Sequence, residues 1–221
     1  MKAALSNRVF SACISCAEER KEGINMAKML YQGHGSLRFT LSDGTVIYLD
    51  PFAGEGYDLP ADYVFVTHEH YDHNETDKMP HAPGCKVVTE KDAIRGSSYH
   101  TFNFGNFQVQ AVEAYNSHHH KSACVGYIFL LDGKKVYCAG DTSTTNMMAK
   151  MEPMHLDYAL LPTDGIYNMG PAEASKCAEV IGAAHNIPIH MAPGKLFDRA
   201  LAEKFDGPNR LIVEAGEEIE L

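Results

Sequence analysis

The segment "VFVTHEHYDHNE", residues 64–75, constrains this chain more than any other. Its apolar, β-forming start is followed by four candidate metal ligands: His68, His70, Asp72 and His73. A packed core has no use for so many titratable side chains in a row. In an extended chain His68 and His70 project to the same side and can bind one metal ion, while a turn beyond them can direct Asp72 and His73 to a second ion. Imidazole with carboxylate suits Zn²⁺, and also Fe or Mn, but each site needs about four ligands, so the segment predicts only part of a metal centre.

Three other segments can supply the missing ligands. "AYNSHHHKSACVGY" contains the histidine triplet 118–120, "VYCAGDT" carries Asp141 just after a predicted strand, and "HNIPIHMAPG" carries His190 after another. Each of these positions follows the C-terminal end of a predicted strand. Strand ends that meet along one edge of a sheet form a shared cleft, so we expect these side chains to converge there.

Two segments with an Asp-Gly turn signal, "SLRFTLSDGTVIYLDPF" and "LLDGKK", predict hairpins. Further strands are predicted at "DYVFVTH", "CKVVT", "FQVQAVEAY", "VGYIFLL", "KKVYCAG" and "DYALLP". The helical period is strongest in "PAEASKCAEVIGAA", where Ala174, Cys177, Ala178 and Ile181 share one face. "LFDRALAEKF" predicts a second amphipathic helix. Two sets of strands, each followed by a helix, predict two sheets with helices outside them.

The length of 221 residues and the 45% hydrophobic content suit one domain with a large core. We expect this domain to span residues 26–221, after an N-terminal extension of unclear role at residues 1–25. Within the extension, Cys13 and Cys16 form a C-x-x-C pair with no partner pair at a zinc-finger spacing, which favours free thiols in a reducing compartment. The extension resembles a signal peptide only weakly, and no segment has the roughly 20 apolar residues of a membrane span, so we expect a cytoplasmic protein.

The formal charge is −10, from 19 basic and 29 acidic residues, and the basic residues are scattered. A negative field repels a phosphate backbone, which makes nucleic acid a disfavoured partner. We therefore expect a small-molecule substrate and no membrane partner. Nothing in the sequence forbids assembly into a homo-oligomer.

Several motifs resemble the metallo-β-lactamase superfamily, in order, over roughly residues 30 to 215: "GHGS", "LDPF", "THEHYDH", "AGDT", "LLPTDGIYNMGPAEA" and "IPIH". Within it they look like the small stand-alone hydrolases, a group that includes the ascorbate-6-phosphate lactonase relatives. The resemblance implies an α/β fold, a four-layer αβ/βα sandwich. It also implies a dinuclear centre with two divalent metal ions, zinc first and manganese or iron as alternatives.

The resemblance implies seven metal ligands: His68, His70, Asp72, His73, His119, Asp141 and His190. The first site would take His68, His70 and one histidine of the triplet; His119 is our choice from its offset after "AYN", with His118 as the rival and His120 as the third member. Asp72, His73 and His190 would form the second site, and Asp141 would bridge the two. Asp72 is also the candidate catalytic residue, since it could orient the attacking water or accept its proton.

Around the ligands, Asp50 of "LDPF" is the candidate to fix an imidazole tautomer, although an Asp before a proline can equally serve as a turn residue. Candidate substrate contacts lie in two loops: His34, Asp164, Tyr167 and Asn168. As a metal ligand, an isolated histidine such as His34, His81, His100, His155 or His185 is disfavoured.

Such a centre implies a metal-dependent hydrolase that uses a metal-bridging hydroxide to cleave a small ester, lactone or phosphoester. The alternative is a nuclease that cleaves RNA or DNA with the same ligands. A third interpretation is a metal-bound scaffold or a mono-iron oxygenase of the same superfamily. Related di-iron flavoproteins carry Glu where this chain has His70, which favours hydrolysis over redox chemistry.

Overall fold

Two six-stranded sheets form the fold in a computed structural model that describes residues 26–192 and 194–221. The first sheet contains β1 (Lys28–Gly33), β2 (Ser36–Thr40), β3 (Val46–Leu49), β4 (Ala61–Phe65), β5 (His81–Val88) and β14 (Glu217–Glu220). The second contains β8 (Thr101–Asn103), β9 (Phe107–Glu113), β10 (Val125–Leu131), β11 (Lys134–Cys138), β12 (Tyr158–Pro162) and β13 (His185–Ile189). β6 (Ile94–Arg95) and β7 (Ser98–Tyr99) form a separate two-stranded sheet, and Ile94 and Tyr99 pack against the core. The predicted extension, with its C-x-x-C pair, falls outside the described residues.

The order of strands brings many C-terminal strand ends to one edge. The first sheet runs β14-β1-β2-β3-β4-β5, with β3, β4 and β5 parallel. The second runs β13-β12-β11-β10-β9-β8, with β11, β12 and β13 parallel. Because β1 and β3 both pair antiparallel with β2, they point the same way, and so do β9 and β11 on either side of β10.

The core lies between the sheets and is rich in aromatic side chains. Phe39 and Phe65 of the first sheet pack against Phe129 of the second, at ring-centroid distances of 5.3 and 5.2 Å. The three side chains are fully buried, and Tyr127 packs edge-on against Phe65. Each such ring removes on the order of 150–250 Å² from water, so these few side chains supply a large share of the apolar burial that holds the sheets together.

Within the described residues the helices are Glu90–Ala93, Pro171–Ile181 and Arg199–Ala202, with 3-10 turns at Met148–Lys150 and Glu152–Met154. The helix Pro171–Ile181 begins at a proline, whose missing N–H costs nothing there, and ends at Gly182 in the left-handed conformation. Its four predicted inner residues are all buried against the outer face of the second sheet. This prediction is confirmed.

The second predicted helix is shorter than the pattern indicates. The side chain of Asp198 accepts a hydrogen bond from the backbone N–H of Leu201, which starts the helix at Arg199. Leu196 therefore lies outside the helix and is 49% exposed. Phe205, at the other end of the pattern, is buried but also lies beyond the helix.

The predicted hairpins and fold class are confirmed. In the turn between β10 and β11, Asp132 and Gly133 have φ values of 47° and 86°, as a two-residue hairpin turn requires. Sheets with helices outside them agree with the αβ/βα sandwich. Among the helices of the described residues, none is both long and apolar enough to cross a bilayer.

Candidate metal centre

The predicted site residues lie at the common edge of the two sheets. Seven of them lie in loops that follow the C-terminal ends of strands. These are His34 after β1, Asp50 after β3, His68 after β4, His119 after β9, Asp141 after β11, Asp164 after β12 and His190 after β13. Three of these residues, His34, Asp50 and His190, have left-handed φ values of 53°, 47° and 47°. The chain therefore turns abruptly at the sheet edge, which keeps these side chains close to the strands that carry them.

One group of side chains consists of His68, His70 and His119, whose candidate ligand atoms lie within 4.8 Å of one another. Nε2 of His119 is 3.2 Å from Nδ1 of His70. The structure places His119 in this group. His118 is exposed on the cavity wall, and His120 is exposed with its Nδ1 2.7 Å from Oγ of Ser122.

A second group consists of Asp72, His73, His190 and His34, again within 4.8 Å of one another. His34 was expected to be a substrate contact and to be no ligand. Its ring lies 3.7 Å from the ring of His190, and its Nε2 lies 3.3 Å from Oδ2 of Asp72. His34 follows a strand end as the other candidates do, so the same rule, applied to "GHGS", would have placed it here.

Asp141 lies between the two groups and is buried. Its Oδ2 is 3.4 Å from Nε2 of His119 in the first group. Its Oδ1 is 3.3 Å from Nε2 of His190 and 3.5 Å from Nε2 of His73 in the second. Each carboxylate oxygen thus faces a different group, which is the arrangement that a bridging ligand needs.

The donor set fits metal ions because buried nitrogens point inward without partners. Nε2 of His68, His73 and His190 are buried and accept or donate no hydrogen bond within the described residues. A buried polar atom left in this state costs about 1–3 kcal/mol, and a coordinated cation would remove that cost. Histidine and carboxylate together form a donor set that suits Zn²⁺ and related ions.

The opposite ring nitrogens are held by neighbouring groups. Nδ1 of His68 lies 2.9 Å from Oγ1 of Thr67, and Nδ1 of His73 lies 2.9 Å from Oδ2 of Asp50. Asp50, which is 1% exposed, also accepts hydrogen bonds of 2.7 Å from both the N–H and the hydroxyl of Thr67. These contacts direct Nε2 of both imidazoles toward the centre.

Burial and charge set the protonation of the cluster. Burial, together with the nearby His73, lowers the pKa of His68 to about 2, and burial lowers the pKa of His119. Burial would also lower the pKa of His73, but the carboxylates of Asp141 and Asp50 outweigh it and raise that pKa to about 9. The pKa of Asp141 is well below its usual range, because the surrounding histidines outweigh the effect of burial. A cation can therefore replace the proton on His73.

A cavity of about 800 Å³ opens over both groups. Tyr71 and Tyr167, 79% and 48% exposed, line it, as do His34 and His118. The other two predicted substrate contacts, Asp164 and Asn168, do not line the cavity. They are buried, because the turn of residues 164–168 needs the carboxylate of Asp164 as an acceptor for its N–H groups.

Sequence reasoning missed Asn116. Its Oδ1 lies 2.9 Å from Nδ1 of His119 and accepts hydrogen bonds from the backbone N–H groups of His118 and His119. The position of this residue, three before His119 in a loop, could have indicated such a role. The hydroxyl of Thr142 bonds the backbone of Tyr115, the residue before Asn116.

Comparison with known proteins identifies the family. Residues 28–190 match the model described as "Beta-lactamase superfamily domain". A UPF0173 metal-dependent hydrolase of Thermococcus kodakarensis is 29% identical over 230 residues, covering 89% of this chain and 100% of that protein. One of Korarchaeum cryptofilum is 32% identical over 187 residues, covering 75% and 83%. The chain belongs to the UPF0173 metal-dependent hydrolase family.

Membership in this family confirms the predicted metallo-β-lactamase superfamily and a metal-dependent hydrolase. The narrower likeness to the ascorbate-6-phosphate lactonase relatives stays a prediction. The fold of this UPF0173 protein also matches that of Igni18, a metallo hydrolase from Ignicoccus hospitalis, with a TM-score of 0.70. The two are 21% identical, and the match covers 89% of this chain and 99% of that one, so it supports the fold alone.

Proposed function

We propose that the protein hydrolyses a small-molecule ester, lactone or phosphoester at a centre of two divalent metal ions, zinc in the first instance and manganese or iron as alternatives. The position of Asp141 carries the proposal, because its two oxygens face two separate groups of histidines. His68, His70 and His119 would hold one ion. Asp72, His73 and His190 would hold the other, with Asp141 shared.

Bound divalent ions lower the pKa of water toward neutrality and polarise the substrate oxygen, which supplies both nucleophile and electrophilic assistance. The chain's own contribution is to hold its imidazoles in one tautomer and to shape the cavity. Asp72 faces that cavity; burial would raise its pKa, but the nearby His34 and the charge on His73 hold that pKa well below its usual range. Such a carboxylate is a weak base, so Asp72 orients the attacking water more readily than it accepts the proton.

The charges at the cavity favour a small substrate over a nucleic acid. Lys78 and Lys195 line the cavity, and each is already paired with an acidic side chain, Lys78 with Glu75 at 3.2 Å and Lys195 with Asp198 at 2.9 Å. A polyanion would need amines that are not neutralised in this way, and the chain as a whole carries −10. The nuclease alternative is therefore the weaker proposal.

The test is metal content by elemental analysis on protein purified without chelators, paired with turnover of a phosphodiester and a panel of lactones and esters. We expect about two metal ions per chain. Hydrolysis of at least one substrate class should be lost with a chelator and restored by metal. Protein that contains no metal and takes none up on titration would contradict the proposal.

A matched pair of variants sharpens the test. His119→Ala removes a proposed ligand, whereas His120→Ala removes its exposed neighbour, whose ring bonds Ser122 in the same loop. We expect the first variant to lose metal and turnover and the second to retain both. Equal effects of the two substitutions would show that His119 is not a ligand.

A further inference from the structure

Three polar side chains, two of them buried, form a chain of contacts that begins at His190. Oδ2 of Asp164 lies 3.3 Å from Nδ1 of His190, an electrostatic contact, and accepts a 2.8 Å hydrogen bond from Nδ2 of Asn168. The other oxygen of Asp164 accepts hydrogen bonds from the N–H groups of Ile166 and Tyr167, both of 2.7 Å. The loop that follows β12 thus folds around this one carboxylate.

The contacts continue across to the loop between β9 and β10. Oδ1 of Asn168 accepts a 2.9 Å hydrogen bond from Nδ2 of Asn116. Oδ1 of Asn116 in turn lies 2.9 Å from Nδ1 of His119. We call Asp164, Asn168 and Asn116 together the polar bridge.

The direction of every hydrogen bond in the polar bridge is fixed by backbone groups that can only donate. The N–H groups of His118 and His119 point at Oδ1 of Asn116, so its amide nitrogen must face Asn168. Asn168 must then accept from Asn116 and donate to Asp164, whose carboxylate is held as an acceptor by the N–H groups of its own loop. Reversal of either carboxamide would set donor against donor, so the bridge has a single arrangement.

The two ends of the polar bridge are histidines of different groups: His119 belongs to the first and His190 to the second. We propose that the bridge couples the two metal sites, and that Asn168 is a positioning residue for both although it contacts neither ligand. This inference rests on the proposed dinuclear centre. It assigns to the loop of residues 163–170 a role in metal binding in addition to any contact of Tyr167 with substrate.

The size of the effect follows from burial. Asn168 and Asp164 are 8% and 7% exposed, so water cannot readily replace a lost partner. Removing the carboxamide of Asn168 leaves Asn116 without its acceptor and Asp164 without a side-chain donor, which loosens both ends at once. Loss of a hydrogen-bond partner behind a ligand typically lowers metal affinity about 10- to 100-fold. Asn168 is one residue further from each ligand, so Asn168→Ala should lower metal affinity by the smaller of these factors, roughly 10-fold, at each site.

The experiment measures Zn²⁺ affinity by competition with a chromophoric chelator, one site at a time. The first site is isolated in a His190→Ala background and the second in a His70→Ala background. Asn168→Ala should weaken zinc binding in both backgrounds. As a single substitution, with all the proposed metal ligands present, it should also shift the visible absorption of bound Co²⁺. Ile166→Ala is the matched control, because this side chain is 60% exposed in the same loop and should leave both affinities unchanged.

Two further variants keep the test decisive if Asn168→Ala does not fold. Asn168→Leu keeps the branch at Cγ, leaves no cavity and loses the hydrogen bonds, so an effect equal to that of Asn168→Ala supports the polar contact over packing. Asn116→Ala, read in the His70→Ala background, should weaken the site of His190, which Asn116 does not touch. Loss confined to one site in these variants, or no loss, would overturn the polar bridge. Unsubstituted protein that binds none of zinc, manganese and iron would instead overturn the proposed function.

Discussion

Substitution of Asp50 by Asn should weaken metal binding at both sites, because residue 50 and Thr67 together set the tautomers of His73 and His68. Asp50 accepts a hydrogen bond from the backbone N–H of Thr67, which can only donate. With Asp50→Asn the new carbonyl oxygen must stay at that N–H, so the new NH₂ group faces Nδ1 of His73 and the hydroxyl of Thr67. His73 must then accept at Nδ1 and carry its proton on Nε2, the atom that faces Asp141.

The same reversal reaches His68. In the unsubstituted protein the hydroxyl of Thr67 donates to Asp50 and is left to accept from Nδ1 of His68. Once the hydroxyl accepts from the new NH₂, it donates to Nδ1 of His68, and that ring also moves its proton to Nε2. Because a metal ion needs an unprotonated Nε2, we expect zinc affinity to fall about 10- to 100-fold at each site, which is about 1.4–2.7 kcal/mol.

The assay is zinc competition against a chelator, with elemental analysis of the purified variant and a thermal melt to confirm folding. Asp58→Asn serves as the control, because Asp58 is exposed and pairs with Arg38 away from the centre. Asp50→Asn protein that binds zinc as tightly as the unsubstituted protein would refute the tautomer reasoning. So would an equal loss in Asp58→Asn.

Four other outcomes are expected. His70→Ala should abolish turnover and lose the first ion while the far-ultraviolet circular dichroism stays unchanged; full activity would exclude His70 as a ligand. Asp141→Ala should reduce the metal content at both sites, because its oxygens face both groups, and a loss of one ion alone would contradict a bridging role. Zinc affinity should rise with pH up to about 9, since His73 is protonated below its raised pKa and the proton competes with the metal; calorimetry in buffers of different ionisation enthalpy should show proton release at pH 7.5, and none would contradict this. Ile181→Ala should lower the free energy of unfolding by about 2–5 kcal/mol, because this side chain is fully buried between its helix, Pro171–Ile181, and the second sheet. A urea titration checks this, and an unchanged midpoint would contradict it.

The sequence predicts most of the framework because its signals are local. An apolar strand followed at once by His or Asp is visible in any window of ten residues, and parallel neighbours bring such ends together without further information. The helix Pro171–Ile181 is predicted equally well, since its apolar period, its starting proline and its terminal glycine all indicate the same boundaries. β14 is not predicted, for the opposite reason: Glu217, Glu218 and Glu220 carry no strand signal. The strand forms because β1 offers it an unpaired edge and Lys28 lies 3.6 Å from Glu218.

The surroundings of the ligands depend on contacts between distant segments, which no local pattern contains. Asn116 and Asn168 are 52 positions apart, and neither is unusual in its own loop. Asp164 and Asn168 were expected at the cavity because their loop reaches the right edge of the sheet. Which way a side chain turns at that edge depends on the hydrogen-bond acceptors that the loop itself requires. His34 is a similar case, because the strand end before it indicates the sheet edge but not the side chains of His190 and Asp72 that it meets there.

The left-handed backbone at His34, Asp50 and His190 lowers the stability of the fold while it places side chains at the candidate metal centre. Residues other than glycine cost about 1 kcal/mol or more in this conformation, although His and Asp tolerate it better than most. Glycine at any of the three positions would relax the backbone and remove the imidazole or carboxylate that the centre needs. In an engineered library of metal-free protein screened only for folding, selection should therefore accept glycine at His34 and His190, whose buried Nε2 atoms have no hydrogen-bond partner among the described residues. Asp50, which holds the N–H and the hydroxyl of Thr67, should be retained.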